Sequence, residues 1–520
     1  MPFLKARSST AMPTQSDPWM AAIAFAVPTA VSLPLLSADV DAGAGAGFVM
    51  AAETLGILPF PGHPLYLLLL KTITLLVPYG VVVWRQRLVS LLLASAAAVV
   101  FYALGRRLRF PPVVSLAASL AWSFSPLVWP DHLRIAPPAW QHLLVLGVLY
   151  TTLTWMYAGR LLTRRRALLW GLLGGAACSQ APAFLPWLLP VLAVGLGVVV
   201  FRRRARRTAV TAAVLALAAG WLLPLLYLPW RLLSGPGFVD TDAVPQYAEL
   251  ARLPLGSYLP AWLRWYLCSG SGDGGGHATA RLLHAADEYS LFALGLAVLG
   301  LLFSLRAVFF RTSKSIFRDT AQPMRLFVAA LPLIALPGML MFAPAQAAAL
   351  RGALALAFAC WFLPALEYAY FELGYPDGKP SPAHPSWFGL VVVFTLPLLG
   401  LLQTYPGLRA GVRAPLDLGA NAGRVRAFLS DLPADAVLVF PRNESAYVFT
   451  YLQRREGVRR DVTIMPYSAQ WPGRGYGGRA GLEILAEDER ARLIRRVNFM
   501  EYWTEGLAAE IRSGRPSYWL

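Results

Sequence analysis

With 57% hydrophobic and only 14% charged residues over 520 positions, and a mean hydropathy of +0.52, this chain is excluded from the soluble globular class, which carries about 25% charged residues. The formal charge is +18 and nearly all arginine, since Lys5, Lys71, Lys314 and Lys379 are the only lysines. The basic clusters fall between apolar runs, as the positive-inside rule requires, and not on the single basic face expected of a nucleic-acid binder.

A membrane-crossing helix needs about 20 apolar residues. After a polar cytoplasmic tail, residues 1–17, the first candidate is 18–36; no small-residue cleavage site follows in frame, so it reads as a retained anchor. Next comes Ala38-Asp-Val-Asp-Ala-Gly-Ala-Gly-Ala-Gly47, leading to Leu58-Pro-Phe-Pro-Gly-His-Pro-Leu-Tyr66. Asp39 and Asp41 are juxtamembrane carboxylates, functional candidates because an unused charge there is costly; the alternative is a pair of solvated loop acids. The glycine–alanine run beside them reads as a loop too flexible for an ordinary helix. Leu65 to Val77 is apolar but short, interrupted by Lys71 and ended by Pro78, and reads as a helix lying along the outer surface.

Further candidate spans are 88–105, 111–130, 139–158, 167–181, 182–200, 208–230, 289–309, 326–343, 346–366 and 387–404. Arg106-Arg107-Leu-Arg109, Arg160 with Arg164-Arg165-Arg166, Arg202 to Arg207, and Arg306, Arg311, Lys314 and Arg318 are all cytoplasmic by the charge rule. The predicted fold is thus an α-helical polytopic membrane domain, 18–410, with about eleven spans, the N-terminus inside and the C-terminus outside. Outer loops cover 37–87 and 231–287. In the second, Tyr258, Trp262, Trp265 and Tyr266 are interfacial anchors or the lining of an acceptor groove. The glycine run Ser269–Gly276 lacks a strand before and a helix after, so it is a linker and not a phosphate loop.

From about Leu418 the charge content rises, and 418–520 reads as a small extracytoplasmic α/β domain. Ala436-Val-Leu-Val-Phe440 and Val462-Thr-Ile-Met465 are its strands, and Glu483 to Ile511 is helical. Cys178, Cys268 and Cys360 have no metal-ligand spacing. No metal site is legible, and a requirement for a divalent cation is left open. Arg134, with Asp131 and His132 in the second outer loop, is a candidate phosphate contact because its planar fork suits that geometry; the alternative is an interfacial anchor. Arg231 stands at the outer mouth of a span, against the charge rule, and His63 sits in a rigid proline-rich turn; both are further candidates for a phosphate contact.

Several phrases in order together resemble one family. They are Thr54-Leu-Gly56, Pro61-Gly-His-Pro-Leu-Tyr66, Trp84-Arg85 ahead of Leu88-Val-Ser90, Phe124-Ser-Pro126 with Trp129, and Tyr227-Leu-Pro-Trp-Arg231. Leu432-Pro433, Tyr451-Leu-Gln453, Glu456-Gly-Val-Arg459, Asp461-Val462 and Gly514-Arg-Pro-Ser-Tyr-Trp519 continue the series. The chain resembles membrane proteins related to protein O-mannosyltransferases, which have the GT-C glycosyltransferase architecture. The resemblance implies transfer of a sugar from a polyprenyl-phosphate donor to an extracytoplasmic protein or glycan acceptor. Asp41, with Asp39 beside it, is then the base that accepts the acceptor's proton. Arg134, Arg231 and His63 would face the departing phosphate.

The match fails at informative places. Where the family reads Asp-Ser-Gly-Glu, an ungapped match places Ala44-Gly-Ala-Gly47; sliding it places Asp41-Ala-Gly-Ala44, which restores the aspartate and the glycine but not the glutamate. Pro59-Phe-Pro-Gly-His-Pro64 lacks the family's first histidine, Ala136-Pro-Pro138 replaces a Glu-Val-Tyr phrase, and a histidine expected at the end of the fifth span falls on Ala181, after Ser179-Gln180. The alternative to an enzyme is a catalytically degenerate scaffold that binds lipid or serves an envelope complex. A transporter is disfavoured because no internal repeat is found.

Overall fold

The computed structural model describes residues 16–38, 40, 44–56, 58, 63–125, 128–157, 164–181, 184–201, 207–234, 327–333, 356, 360–361, 363–367, 390–391, 394–395, 398, 422–432, 434, 437–440 and 448–466. Asp39, Asp41, the predicted span 289–309 and the helix predicted over 483–511 lie outside these residues. The described part is dominated by helices: α1 (Ser16–Ser32), α2 (Ala44–Thr54), α3 (Pro64–Leu76), α4 (Val82–Arg107), α5 (Pro112–Ser123), α6 (Trp129–His132), α7 (Pro138–Tyr157), α8 (Arg164–Gln180), α9 (Leu185–Phe201) and α10 (Arg207–Ser234).

The helices α1, α4, α5 and α7 to α10 coincide with predicted spans. Two helices among the described residues, Pro18–Leu35 and Val82–Arg107, are long and apolar enough to cross a membrane by themselves. α4 begins at Val82, ahead of the predicted start at residue 88, because Arg85, Gln86 and Arg87 interrupt the apolar run without interrupting the helix. α5 stops at Ser123, short of the predicted 130. Pro126 follows closely, and a proline disfavours helix in the residue before it. α3, with its 13 residues, is about 20 Å long at 1.5 Å per residue, too short for a hydrocarbon core of about 30 Å.

The glycine–alanine run departs most from expectation. Ala44-Gly-Ala-Gly47 opens α2 and is not a loop. Its helix holds because packing replaces propensity: Ala46, Val49, Ala51 and Ala52 are fully buried.

Antiparallel connections put the N-terminal ends of α4 and α7 beside the C-terminal end of α8, where Gln141 Nε2 donates to the Gln180 carbonyl at 3.0 Å. At the opposite end Arg107 Nη2 donates to the Thr154 carbonyl at 2.9 Å. The end away from the arginine clusters is called distal below. The main core runs through α4, α5, α7, α8 and α9, with Phe101, Trp122, Leu149, Phe184 and Trp187 at its centre, and Leu331, Leu356 and Leu363 join it. Large apolar side chains also face outward, among them Leu75, Leu169, Leu189, Leu215 and Leu226. Apolar surface of that extent marks a contact with another phase or partner, and lipid fits a chain of this composition.

α8 and α10 make the most extensive helix pair. A Cβ on Gly175 would stand 2.1 Å from the Leu217 carbonyl oxygen, one on Gly171 would stand 2.3 Å from that of Ala213, and one on Gly220 would stand 2.4 Å from that of Leu172. The two backbones therefore touch, as small residues permit between membrane helices.

A second unit follows, with α11 (Ala422–Asp431) and two strands, β1 (Val437–Phe440) and β2 (Thr463–Pro466). The strands pair in parallel, Val437 opposite Thr463 and Phe440 opposite Pro466. Their connection carries a π-helical turn, Leu452–Glu456, closed by Gly457 at φ +72°. Arg459 Nη1 donates to the carbonyls of Leu429 at 2.9 Å and Leu432 at 2.6 Å, supplying donors to the end of α11. Its Nη2 pairs with Asp461 at 2.7 Å. Val425, Leu429, Phe449 and Leu452 belong to the same apolar cluster as Phe48, Tyr66, Leu67 and Val83, so this unit rests on α2, α3 and the start of α4.

Overpacking usually costs about 1–3 kcal/mol, and a side chain aimed at a backbone atom sits at the upper end of that range. Gly175→Val is expected to destabilise the α8–α10 pair by about 3 kcal/mol, read as loss of folded, monodisperse protein after detergent extraction. Leu169→Val, on an outward-facing side chain of α8, is the matched control and should extract normally.

Candidate functional site

The distal end holds an unusual concentration of buried polar groups. Its centre is the start of α3. His63 caps that helix at φ +44°, in the left-handed region, with Pro64 at the first helical position. A residue with a Cβ pays about 1 kcal/mol or more for this conformation, so surrounding contacts must hold it. They are the Phe48 ring, with centroids 6.1 Å apart, and the backbone of Gln180 at the end of α8, to which His63 is hydrogen-bonded. Enclosure there pushes the His63 imidazole down from 6.5 to about 4, with the Gln180 bond opposing the shift. The ring is therefore neutral at physiological pH.

One turn along α3, the Tyr66 hydroxyl is 2.8 Å from Ser90 Oγ on α4. It also bonds the backbone of Ala136 between α6 and α7. Burial raises its pKa well above the usual phenol range, against the effect of both hydrogen bonds, so it too is neutral. Arg85 Nη1 donates to the carbonyls of Thr74 at 2.7 Å and Val77 at 2.9 Å, closing the C-terminal end of α3. Lys71 Nζ donates to the Glu53 carbonyl, tying α3 to α2. Farther along, Tyr227 of α10 donates to the Gly56 carbonyl at 3.1 Å, and Trp129 Nε1 of α6 donates to Ser32 Oγ of α1 at 2.8 Å.

Beside this lies a histidine pair. His132 of α6 and His142 of α7 have ring centroids 6.2 Å apart, and both pack edge-on to Trp122, at 5.9 and 5.5 Å. Phe184 closes the far side of His142 at 5.7 Å. Burial, then the neighbouring His142, holds His132 well below the ordinary imidazole value. Asp131 is buried next to it. Among the described residues no group of three or more His, Cys, Asp and Glu side chains is arranged to hold a metal ion.

The residues singled out from sequence fall differently. His63 is in the cluster, half-buried at the α3 cap. Arg134 is exposed, in the turn between α6 and α7. Arg231 lies in the last turn of α10, whose backbone alone is described there. Asp39 and Asp41 lie outside the described residues, so their distance from these groups is not defined. Sequence reasoning passed over Tyr66, Gln86, Ser90, Gln141, His142 and Gln180. The available signal was that Tyr66 and Ser90 stand in two of the family-like phrases, and that Gln180 immediately precedes the position where a histidine is expected.

No protein-family model and no curated protein matches this chain. Among solved structures it is similar to the crystal structure of ArnT from Cupriavidus metallidurans bound to undecaprenyl phosphate, at 14% identity and a TM-score of 0.34, over 87% of this chain and 90% of that one.

The His63 shift has a pH consequence. Below about pH 6.5 the unfolded chain takes up a proton that folded His63 refuses until about pH 4. Stability therefore falls with pH across that window, because the unfolded state binds more protons. Denaturant titrations at pH 7 and pH 4.5 should show a smaller acid-induced loss in His63→Gln than in wild type; equal losses would mean that His63 titrates normally in the fold.

Proposed function

We propose that this protein is a GT-C-type membrane glycosyltransferase, moving a sugar from a polyprenyl-phosphate donor to an extracytoplasmic protein or glycan. The observation that carries the reading is convergence. Phrases widely separated in the chain, each shared in order with the O-mannosyltransferase-related family, meet at the distal end: Tyr66 on Ser90, Tyr227 on Gly56, and Trp129 on the end of α1. A buried polar centre built from several such segments, at the end the charge pattern assigns to the outside, is a functional site by default in a membrane protein.

In this reading Asp41 accepts the acceptor hydroxyl's proton as its oxygen attacks the anomeric carbon, and Asp39 raises the affinity of Asp41 for that proton by like charge. The bond from the anomeric carbon to the phosphate oxygen breaks, and the lipid phosphate leaves as an anion. Arg134 and Arg231 offer positive charge to that anion, and neutral His63 donates to it only by releasing its single N–H from the Gln180 backbone. The lipid lies among the outward apolar helix faces; no nucleic acid takes part.

A second reading is favoured by one feature. In the ungapped match the family's acidic motif falls on Ala44-Gly-Ala-Gly47, which opens α2, and Ala46 there is fully buried. A chain that has turned its acidic motif into helix packing fits a degenerate GT-C scaffold, binding lipid or serving an envelope complex without transferring a sugar.

The loop acids separate the two. Asp41→Asn is expected to reduce sugar transfer from a polyprenyl-phosphate donor by at least about 100-fold, the scale of a lost general base, with folded yield unchanged. Survival of transfer in the Asp39→Asn/Asp41→Asn double variant would remove the loop-acid mechanism, and absence of any transfer by wild type would favour the scaffold.

A further inference from the structure

The distal end contains a histidine pair that the mechanism above does not use. His132 ends α6, and His142 stands about one turn into α7; both are buried. Their rings and the indole of Trp122 form a closed triangle. The imidazole centroids are 6.2 Å apart, and they lie 5.9 and 5.5 Å from that of Trp122. Phe101 stacks on Trp122 at 5.8 Å, and Phe184 covers His142 at 5.7 Å. Two imidazoles boxed by aromatic rings share that space comfortably only while neither is charged. A buried charge is costly unless paired, and a second like charge beside it costs more.

The surrounding helices supply no carboxylate to pair with such a charge. α4, α5, α7, α8 and α9 contain no acidic residue. The acid of α1, Asp17, is at the opposite end of that helix from Ser32, which meets α6. Asp131 is buried on α6 itself, but successive residues of a helix do not face each other. Arg85 and Arg87 on α4 and Arg134 in the turn after α6 are fixed cations at the same end, and they oppose further positive charge. Of the two elements that carry the pair, α6 is the one able to yield. It has 4 residues against 20 in α7. It is pinned at its first residue, Trp129, through Ser32. His132, at its other end, is held by ring packing, since its Nε2 has no hydrogen-bond partner among the described residues.

We propose that the His132–His142 pair is an acid-opened latch on the turn between α6 and α7: a proton taken up by either imidazole expels His132 from the aromatic box and swings the end of α6 outward. The moving turn carries Arg134, then Ile135 in the apolar cluster of α2 and α3, then Ala136, whose backbone Tyr66 bonds. Opening therefore loosens the distal cluster. The sign follows from where the proton binds. Burial holds His132 in the closed form well below the ordinary value of 6.5, and the released ring recovers that value. The open form binds more protons, so its population grows as pH falls below the ordinary imidazole range. One proton raises it about 30-fold between pH 7.5 and pH 5.0. The charge rule puts this end outside, so the latch reads the acidity of the extracytoplasmic space. It operates whether or not the protein transfers a sugar.

The test is amide hydrogen exchange of the full-length protein in lipid nanodiscs at pH 7.5 and pH 5.0, corrected for the intrinsic pH dependence of exchange. It is read on peptides covering 128–140. In wild type, protection there should fall by about tenfold or more, while peptides from the middle of α4 and α7 keep theirs, as a local opening requires. The His132→Phe/His142→Phe double variant retains rings against Trp122 without a titrating nitrogen and should remove most of that fall. His132→Gln/His142→Gln is the second pair, for the case in which phenylalanine overpacks the box. His63→Gln, lacking the third imidazole of the distal end, should keep the fall. Unchanged protection in wild type overturns the latch, whatever the variants do. So does a fall shared equally by α4 and α7, which is global acid unfolding, or a full response in a folded double variant. Loss of the response in His63→Gln overturns it as well, by assigning the proton to that ring.

Discussion

One phenol ties the distal end together. Tyr66 is fully buried, and its hydroxyl joins α3 to α4 through Ser90 and to the α6–α7 connection through Ala136. Either bond alone contributes about 1 kcal/mol, but a buried hydroxyl left open would cost about 1–3 kcal/mol, so the three segments hold their places jointly. His63 then inherits its position: its left-handed backbone places the ring against Phe48 and the end of α8. With α3 fixed near its start by Tyr66 on Ser90 and at its end by Arg85, the helix is held antiparallel alongside the first turns of α4. The polar cluster gathers at its start.

His63, Tyr66 and His132 are all held in uncharged forms by burial, with Arg87 and Asp131 buried near them, while the fixed cation Arg134 stays exposed. A hydrogen-bonding interior with a charged rim suits a ligand whose polar, uncharged portion goes in and whose anion stays at the edge. A lipid-linked sugar phosphate has that layout. A scaffold without chemistry would retain the same layout if it only held such a lipid, which is why the loop acids and not the cluster decide between the two readings.

Much of the helical framework was legible because apolar runs of spanning length are a strong signal; α7, α8 and α10 begin and end close to where the hydropathy places them. The strands also follow from sequence, since Val-Leu-Val-Phe and Thr-Ile-Met are β-branched and aromatic runs bounded by turn residues. Ala44-Gly-Ala-Gly47 was misread because glycine's poor helix propensity is a local property, whereas the burial of Ala46 and Val49 that stabilises α2 is supplied by distant residues. Gln86 and Gln180 were missed for a related reason. An amide near the end of an apolar run resembles an ordinary interfacial residue until the neighbouring helices are seen to bury it. His63 was visible as a residue in a constrained turn, but its neutral state depends on burial by segments distant in the chain, against the opposing bond to Gln180. Arg134, Arg231 and the two aspartates rest on their places in the sequence and on the resemblance, and no contact between them is defined among the described residues.

The shared apolar cluster between the first-loop helices and the second unit has a consequence for biogenesis. Phe48, Tyr66 and Leu67 are covered in part by Val425, Leu429 and Leu452, residues made long after them. During vectorial synthesis α2 and α3 would emerge with one apolar face bare and wait for the rest of the membrane domain before that face is sealed. Contacts so distant in sequence form late, because loop closure must precede them. The distal cluster is therefore completed near the end of folding, and a chain stalled before residue 425 would present an inserted bundle with an unfinished cap, a form open to recognition by membrane quality control.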